Sequence, residues 1–590
     1  MIHRVSDLEF DEDRREVRVR GKALDLQPRV LEFIAYLAKN RERFVPKDEL
    51  LDALWPGVIV SETSLHRAAS VARTALAEAG FKGTVRNRQR HGYSLTVENG
   101  EGEGIADTPQ SATLKKAIAA YHRGEWEEAI KALKKVDSVE GLSAEELRIW
   151  AHSAQCAGRP QEAHGPLERA VAAYATRGDK RNAAWAAILL AQLKVEWREP
   201  ALAKGWPHRA ERWLKDEPPC REQGYLDMLG ARMAFMANEL ETSLELATRA
   251  RAVGEEFGDA DLEGLALVHV GEANLYLGNI REGLAAIDEA GVSVVADGLS
   301  SWAGGLIYCG VIFSCMTRAD WHRASQWTEQ FTRWCQDKGS AGYPGLCRMH
   351  RAEVLTVKGD LENAESEIRG TQEMLARQAP WAEGDTFRVL GDILMAKGEF
   401  SEAKKAYERA AELGWECLVD LALLHLAQDE AEAAHRLLDR ALADNCFSSR
   451  SRRGQAMLHL IMAASRCGRV DDARRVLAEL EGKPDLVSTS ALQALFAQAR
   501  AELAAAEGDT MQAIAAFRQS VRSWQAIDAP LAAAQARCRL ACILGKEGDL
   551  EAAERELGAA GAVFTQSSAM GLLRQCDKLR MKLATAKAVR

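Results

Sequence analysis

The sequence predicts a mainly α chain in which a small α/β domain is followed by a long solenoid of stacked helix pairs. Three observations carry that prediction. Within the first hundred residues, strand-like alternation flanks three stretches of helical periodicity. After residue 111 the composition turns uniformly to Ala, Leu, Glu and Arg, with few β-branched runs and few prolines. A short glycine-led pattern then returns along the rest of the chain. At 590 residues the chain is far too long for one compact domain, and 47% hydrophobic with 28% charged residues is the balance of an ordinary globular protein.

The amino-terminal elements follow in order. LEFDEDRREVRVRGKALDL, residues 8–26, alternates like a small antiparallel sheet with Arg20-Gly21-Lys22 as a turn. PRVLEFIAYLAKN starts with Pro28 at a position a helix tolerates, and it sets Val30, Leu31, Ile34 and Leu37 on one face. A second helix, Lys47 to Trp55, ends at Pro56-Gly57. The third opens at Ser61, a capping residue type, and repeats Leu65, Ala69, Ala72 and Leu76 at helical spacing. Burying that face leaves Thr63, His66, Arg67, Ser70 and Arg73 available. In the hairpin that follows, Val85 to Leu95, Arg86, Arg88 and Arg90 fall on alternate residues, so a strand turns all three guanidinium groups to one side. Such a face suits a phosphate backbone.

The order is sheet, three helices, hairpin. Together with the segments LEFD, RGKALDLQPRVLEFIAYL, DELLDALWPG, SLHRAASVARTAL and GYSL, it resembles the OmpR/PhoB-type winged helix-turn-helix DNA-binding domain over residues 1–98. The resemblance implies that the helix from Ser61 enters the major groove while the hairpin, as the wing, lies along the adjacent minor groove or backbone. Two departures stand out: Arg90 occupies a wing position usually held by Gly, and His91 replaces an Arg before Gly92-Tyr93. The implied DNA-contacting set is Thr63, His66, Arg67, Ser70, Arg73, Arg86, Arg88, Arg90 and Tyr93. Arg67 and Arg73 can reach guanine edges or phosphates, and the wing arginines phosphate or a narrow minor groove. Residues 1–100 hold 17 Lys and Arg against 15 Asp and Glu, a net +2, whereas the whole chain carries −9. So small a surplus predicts modest nonspecific affinity and a homodimer on adjacent half-sites.

Residues 99–111, rich in Gly and acidic or small side chains, read as a flexible linker. Beyond it the pattern begins at Gly124, Gly158, Gly278, Gly359, Gly398, Gly468, Gly508 and Gly548. Each glycine sits at a bend and precedes an acidic or polar helix start. A small residue follows five positions after the glycine, and a large apolar one four beyond that. These features resemble the tetratricopeptide repeat and imply a superhelical α-solenoid over residues 112–585. Spacings of 34 to 40 residues imply many units longer than the basic repeat, and a wider solenoid. Segments Trp185 to Trp213, Tyr225 to Phe257, Trp302 to Trp334 and Cys417 to Ala441 fit more loosely, for eleven or twelve units in all.

A solenoid of this length offers a long concave surface for a protein, peptide or small effector. Aromatic residues cluster in its middle at Trp302, Tyr308, Phe313, Trp321, Trp327, Phe331, Trp334, Tyr343 and Trp381, and the reading favoured for them is core filling. No GxxxxGK[ST], HExxH, GxSxG or paired CxxC motif occurs, so no enzyme, cofactor or metal is expected. Twelve scattered cysteines suit a reducing cytoplasm, and no apolar run of ~18 residues could span a bilayer. His-Arg dipeptides at His122, His208, His322, His350 and His435 read as helix surface.

The expectation is therefore a cytoplasmic, sequence-specific transcriptional regulator, preferentially an activator. It would bind double-stranded DNA, touch RNA polymerase near the Pro56 to Val60 loop, and be controlled through its repeats. The competing expectation is an interaction scaffold in which the amino-terminal domain docks protein.

Overall fold

In the computed structural model the chain divides into two compact units, Met1–Pro109 and Gln110–Arg590. The structure describes residues 109–589 except 140, 297–298, 339–344 and 445–449. Before these it describes 2–5, 8–11, 16–19, 22–24, 26, 28–40, 45–54, 65, 68–69, 71–72, 76, 83–88 and 92–97.

The first unit opens with an antiparallel meander, β1 (Ile2–Val5), β2 (Leu8–Asp11), β3 (Glu16–Val19) and β4 (Lys22–Ala23), in register Ile2↔Asp11, Leu8↔Val19 and Val19↔Lys22. Helices α1 (Pro28–Lys39) and α2 (Lys47–Leu54) follow, then a hairpin of β5 (Gly83–Arg88) and β6 (Gly92–Val97). On α1 the buried face is Val30, Phe33, Ile34 and Leu37. Leu31, assigned to that face from the sequence, is only half-buried, because the face centres one residue further on at Phe33. Helical positions Leu65, Ala68, Ala69, Ala72 and Leu76 are all buried in the same core, so the face expected of the third helix is the one that packs.

Gly92 ties the hairpin to the rest. Its φ of 91° is one that side-chain-bearing residues rarely adopt, and a Cβ there would lie 1.8 Å from the Val45 carbonyl oxygen. That approach lets the Val45 and Tyr93 amides exchange hydrogen bonds of 2.8 and 2.9 Å.

The second unit contains, among the described residues, twelve antiparallel helix pairs and a closing helix, Met570–Val589. Within every pair the bend is made by one residue of positive φ. It is glycine at all eight expected positions, and Arg198, Asn238, Ala319 and Asp429 in the other four pairs. The closure is the same in both sets: the amide after the bend donates to the carbonyl five residues back. Asp509 donates to Ala504 at 2.9 Å and Asp549 to Leu544 at 3.0 Å, as Glu199 does to Lys194 at 3.0 Å and Asp320 to Cys315 at 2.9 Å. The small residue five positions on is buried in both sets as well, for example Ala129, Ala403 and Ala513, and Ser243, Ala324 and Ala434. The loosely fitting segments are therefore full repeats whose bends lack glycine.

Helix pairs stack by small rotations, and the coil so formed brings distant residues into contact. Arg198 donates to the Trp381 carbonyl at 3.2 Å, and Arg318 to Ser488 Oγ at 3.1 Å. Ser568 donates to Glu362 at 3.0 Å, and Trp321 stacks on Trp524 with ring centroids 5.6 Å apart. The backbones of Gly398 and Gly571 meet closely enough that a Cβ on either would collide with the other. These pairings are 170 to 206 residues apart, the length of one superhelical turn, so successive turns touch. The solenoid expected from the sequence is thus one whose successive turns also pack on each other along these contacts.

Candidate functional site

Of the DNA-contacting set expected from the sequence, Arg86, Arg88 and Tyr93 are among the described residues. Thr63, His66, Arg67, Ser70, Arg73 and Arg90 lie outside the described residues. Arg86 and Arg88 sit on β5 two residues apart, opposite Ser94 and Gly92. Tyr93 requires a correction. It is 1% exposed, packs edge-on against Phe33 with centroids 5.5 Å apart, and belongs to the core of the first unit. The register sets Tyr93 across from Asn87 and Val85 across from Leu95. Tyr93 faces inward with Val85 and Leu95, so its ring is no surface contact.

The second unit has an open-sided pocket of about 190 Å³ between helices of two successive turns. One wall comes from Trp126, Cys156, Leu193 and Glu196, the other from Trp302, Gly305, Phe331, Trp334, Leu375 and Ala379. Burial pushes the Cys156 thiol up to about 12 and holds His152, beside it, down to about 4 and hence neutral. Glu196 is the charged group at the rim. One of its oxygens accepts from the Trp381 indole N–H at 2.5 Å, and the other pairs with Arg232. The same Trp381 accepts from Arg198 through its carbonyl, so this edge of the pocket is also a junction between turns.

The aromatic residues singled out in the sequence separate by role. Tyr308 and Phe331 are fully buried, 4.9 Å apart and stacked, with Trp334 beside them. Trp327 donates to Asp288, and Trp321 joins two turns. Trp302, Phe331 and Trp334 border the pocket, and Tyr343 lies outside the described residues.

A buried ionic network escaped sequence reading altogether. Arg388, 5% exposed, donates to Glu353 at 2.7 Å, Asp385 at 2.6 Å and Asp392 at 2.7 Å. His350 Nδ1 lies 2.9 Å from Glu353, and Tyr407 donates to Asp392 at 2.8 Å. Despite the burial cost, Arg388 and His350 hold the Glu353 carboxyl down to about 2. Burial pushes Asp392 up to about 7, with neighbouring Asp420 adding to the rise. His350 and His435, at 5% and 7% exposure, are thus interior groups rather than helix surface, whereas His122, His208 and His322 are exposed. The missing signal is physical: Asp385, Arg388 and Asp392 repeat at i, i+3 and i+7, the spacing that exposed ion pairs also use. A second buried carboxylate, Glu502, is clamped by Arg466 at 2.6 Å and Arg539 at 2.8 Å, which keep its carboxyl down at about 2. Among the described residues no cluster of His, Cys, Asp or Glu is arranged to hold a metal ion, and no helix is long and apolar enough to cross a membrane.

No family model and no curated protein matches this chain. Among solved structures it is similar to the Cut9-Hcn1 hetero-tetramer of APC/C, at 12% identity over 80% of this chain and 97% of that one, TM-score 0.34. NprR in complex with its cognate peptide NprX matches at 15% identity over 58% and 97%, TM-score 0.40. The apo quorum sensor NprR from B. thuringiensis matches at 14% over 66% and 99%, TM-score 0.36. The stacked helix-pair architecture stands on the bends and contacts of this chain itself.

Proposed function

We propose that this chain is a non-catalytic, cytoplasmic regulator whose helical-repeat unit binds a partner or effector and whose amino-terminal unit docks on duplex DNA. The observation that carries the binding role is the pocket walled by two successive turns, since an occupant there contacts both and biases how they pack. The DNA role is supported by the strand, helix and hairpin order of the first unit and by the buried spacing of Leu65, Ala68, Ala69, Ala72 and Leu76. By the resemblance to OmpR/PhoB-type domains, Thr63, His66, Arg67, Ser70 and Arg73 would meet the major groove and Arg86, Arg88 and Arg90 the phosphates. Effector binding would shift the chain toward a DNA-competent homodimer, and a contact to RNA polymerase would make it an activator.

Duplexes selected by the full chain from a random library, titrated by fluorescence anisotropy at two salt concentrations, test this. Affinity should fall with salt, and the double variant Arg67→Ala/Arg73→Ala should lose roughly 5- to 150-fold per base contact removed, the equivalent of about 1–3 kcal/mol. Salt-independent or absent duplex binding removes the regulator and leaves the interaction scaffold, which the net charge of only +2 over residues 1–100 favours as second reading.

A further inference from the structure

Among the described helical glycines, Gly305 alone is buried and yet has nothing within 4 Å of where its Cβ would be. Its neighbours on the same helix, Ser301–Thr317, show what packing normally demands: a Cβ on Gly304 would lie 2.8 Å from the Trp334 ring, and one on Gly310 would lie 2.5 Å from Val268. No bend explains Gly305 either, since it lies within the helix and is absent from the positive-φ glycines. A mid-helix glycine lowers stability relative to alanine, so its position needs another reason. The bare backbone faces the pocket, which Trp302 and Trp334 line on one side and Trp126 and Leu193 on the other. A flat group slides against an uncovered helix where a side chain would block it.

We infer that the pocket beside Gly305 is a binding site for a planar aromatic group, presented by a small molecule or by one side chain of a peptide. This deepens the reading of the repeat unit as the effector-binding part. The free space of about 190 Å³ suits one or two fused rings and excludes a folded domain. Aromatic walls supply edge and face contacts to such rings. The only carboxylate at the rim among the described residues, Glu196, is already paired with Arg232 and bonded to Trp381, which favours a neutral guest over a cation. A guest beside Gly305 also meets Trp126 and Leu193 of the preceding turn, so occupancy would be felt at the Glu196–Trp381 junction.

The test uses the full chain and the two-ring fluorophore 1-aminonaphthalene, which is planar and neutral at pH 7. Wild type should bind one equivalent saturably. Gly305→Leu should weaken that binding at least tenfold, and Gly305→Ala at least threefold, with a melting temperature at or above wild type because the helix gains a better former. Should the leucine variant unfold, the alanine variant decides. Competition names the source: displacement by free indole but not by the capped tripeptide Ala-Trp-Ala points to a small molecule, and displacement by the tripeptide at lower concentration than indole points to a peptide side chain. The inference is overturned if neither probe nor competitor binds saturably, or if the folded Gly305 variants bind within twofold of wild type. Probe binding is read without DNA, so its failure leaves the duplex-docking proposal standing, and the reverse also holds.

Discussion

Replacing Gly398 by alanine should cost much more than replacing Gly508, although both glycines make the same bend. Their conformations are close, φ 76°, ψ 25° at Gly398 and φ 85°, ψ 5° at Gly508. Each alanine meets the left-handed penalty of about 1–2 kcal/mol, reduced by about 0.5 kcal/mol because alanine also restricts the unfolded chain. At Gly508 nothing lies within 4 Å of a new Cβ, so the loss should stop near 1 kcal/mol. At Gly398 the Cβ would sit 2.5 Å from Leu572 N and 2.6 Å from Gly571 C, backbone atoms of the next turn. Relieving that overlap means displacing the closing helix, at a further cost of about 1–3 kcal/mol. It also pulls on the Ser568 to Glu362 and Gln575 to Ala427 hydrogen bonds. Urea denaturation followed by circular dichroism gives the stability difference, and hydrogen exchange of amides 570–576 reports the junction directly. Equal midpoints for the two variants, with unchanged exchange at 570–576, would refute the claim that successive turns pack through Gly398 and Gly571.

Three further outcomes are expected. Glu502 has its carboxyl depressed from an ordinary 4.5 to about 2, so its contribution of about 3 kcal/mol is fully present above pH 4.5 and is lost as pH falls toward 2. Glu502→Gln should lower stability by about that amount at pH 7 and flatten the acid limb of a stability–pH curve. At the bend residue Asn238, φ 61° and exposed, Asn238→Ala should cost about 1 kcal/mol while Asn238→Gly is neutral or slightly stabilising, as read from thermal melts. Tyr93→Ala should open the core of the first unit at a cost of about 3–5 kcal/mol and make residues 1–98 sensitive to protease at a concentration the parent survives. A variant that stays resistant and loses only duplex affinity would return Tyr93 to the surface.

Eight of the twelve bends were legible because glycine advertises a left-handed residue. The other four were blurred because a different residue type bears the strain. At two of them a neighbouring turn uses the side chain: Arg198 reaches the Trp381 carbonyl, and Ala319 packs with residues 422–536. A glycine there would lose those contacts, so the local signal gives way to a long-range one. Tyr93 misled for the opposite reason, since a tyrosine in a basic hairpin is compatible with either face until the register with β5 is known.

From composition and spacing alone came the helix pairs, their approximate number and the α/β character of the amino-terminal segment, because each depends on backbone conformation and on neighbours within about forty residues. Tertiary structure decided which turns touch, where Arg388 finds Glu353 and its other carboxylates, and that Gly305 opens onto empty space. Those features depend on how small rotations between repeats accumulate over a full superhelical turn. No local pattern encodes that sum, and residues 170 to 206 positions apart meet only when it is complete.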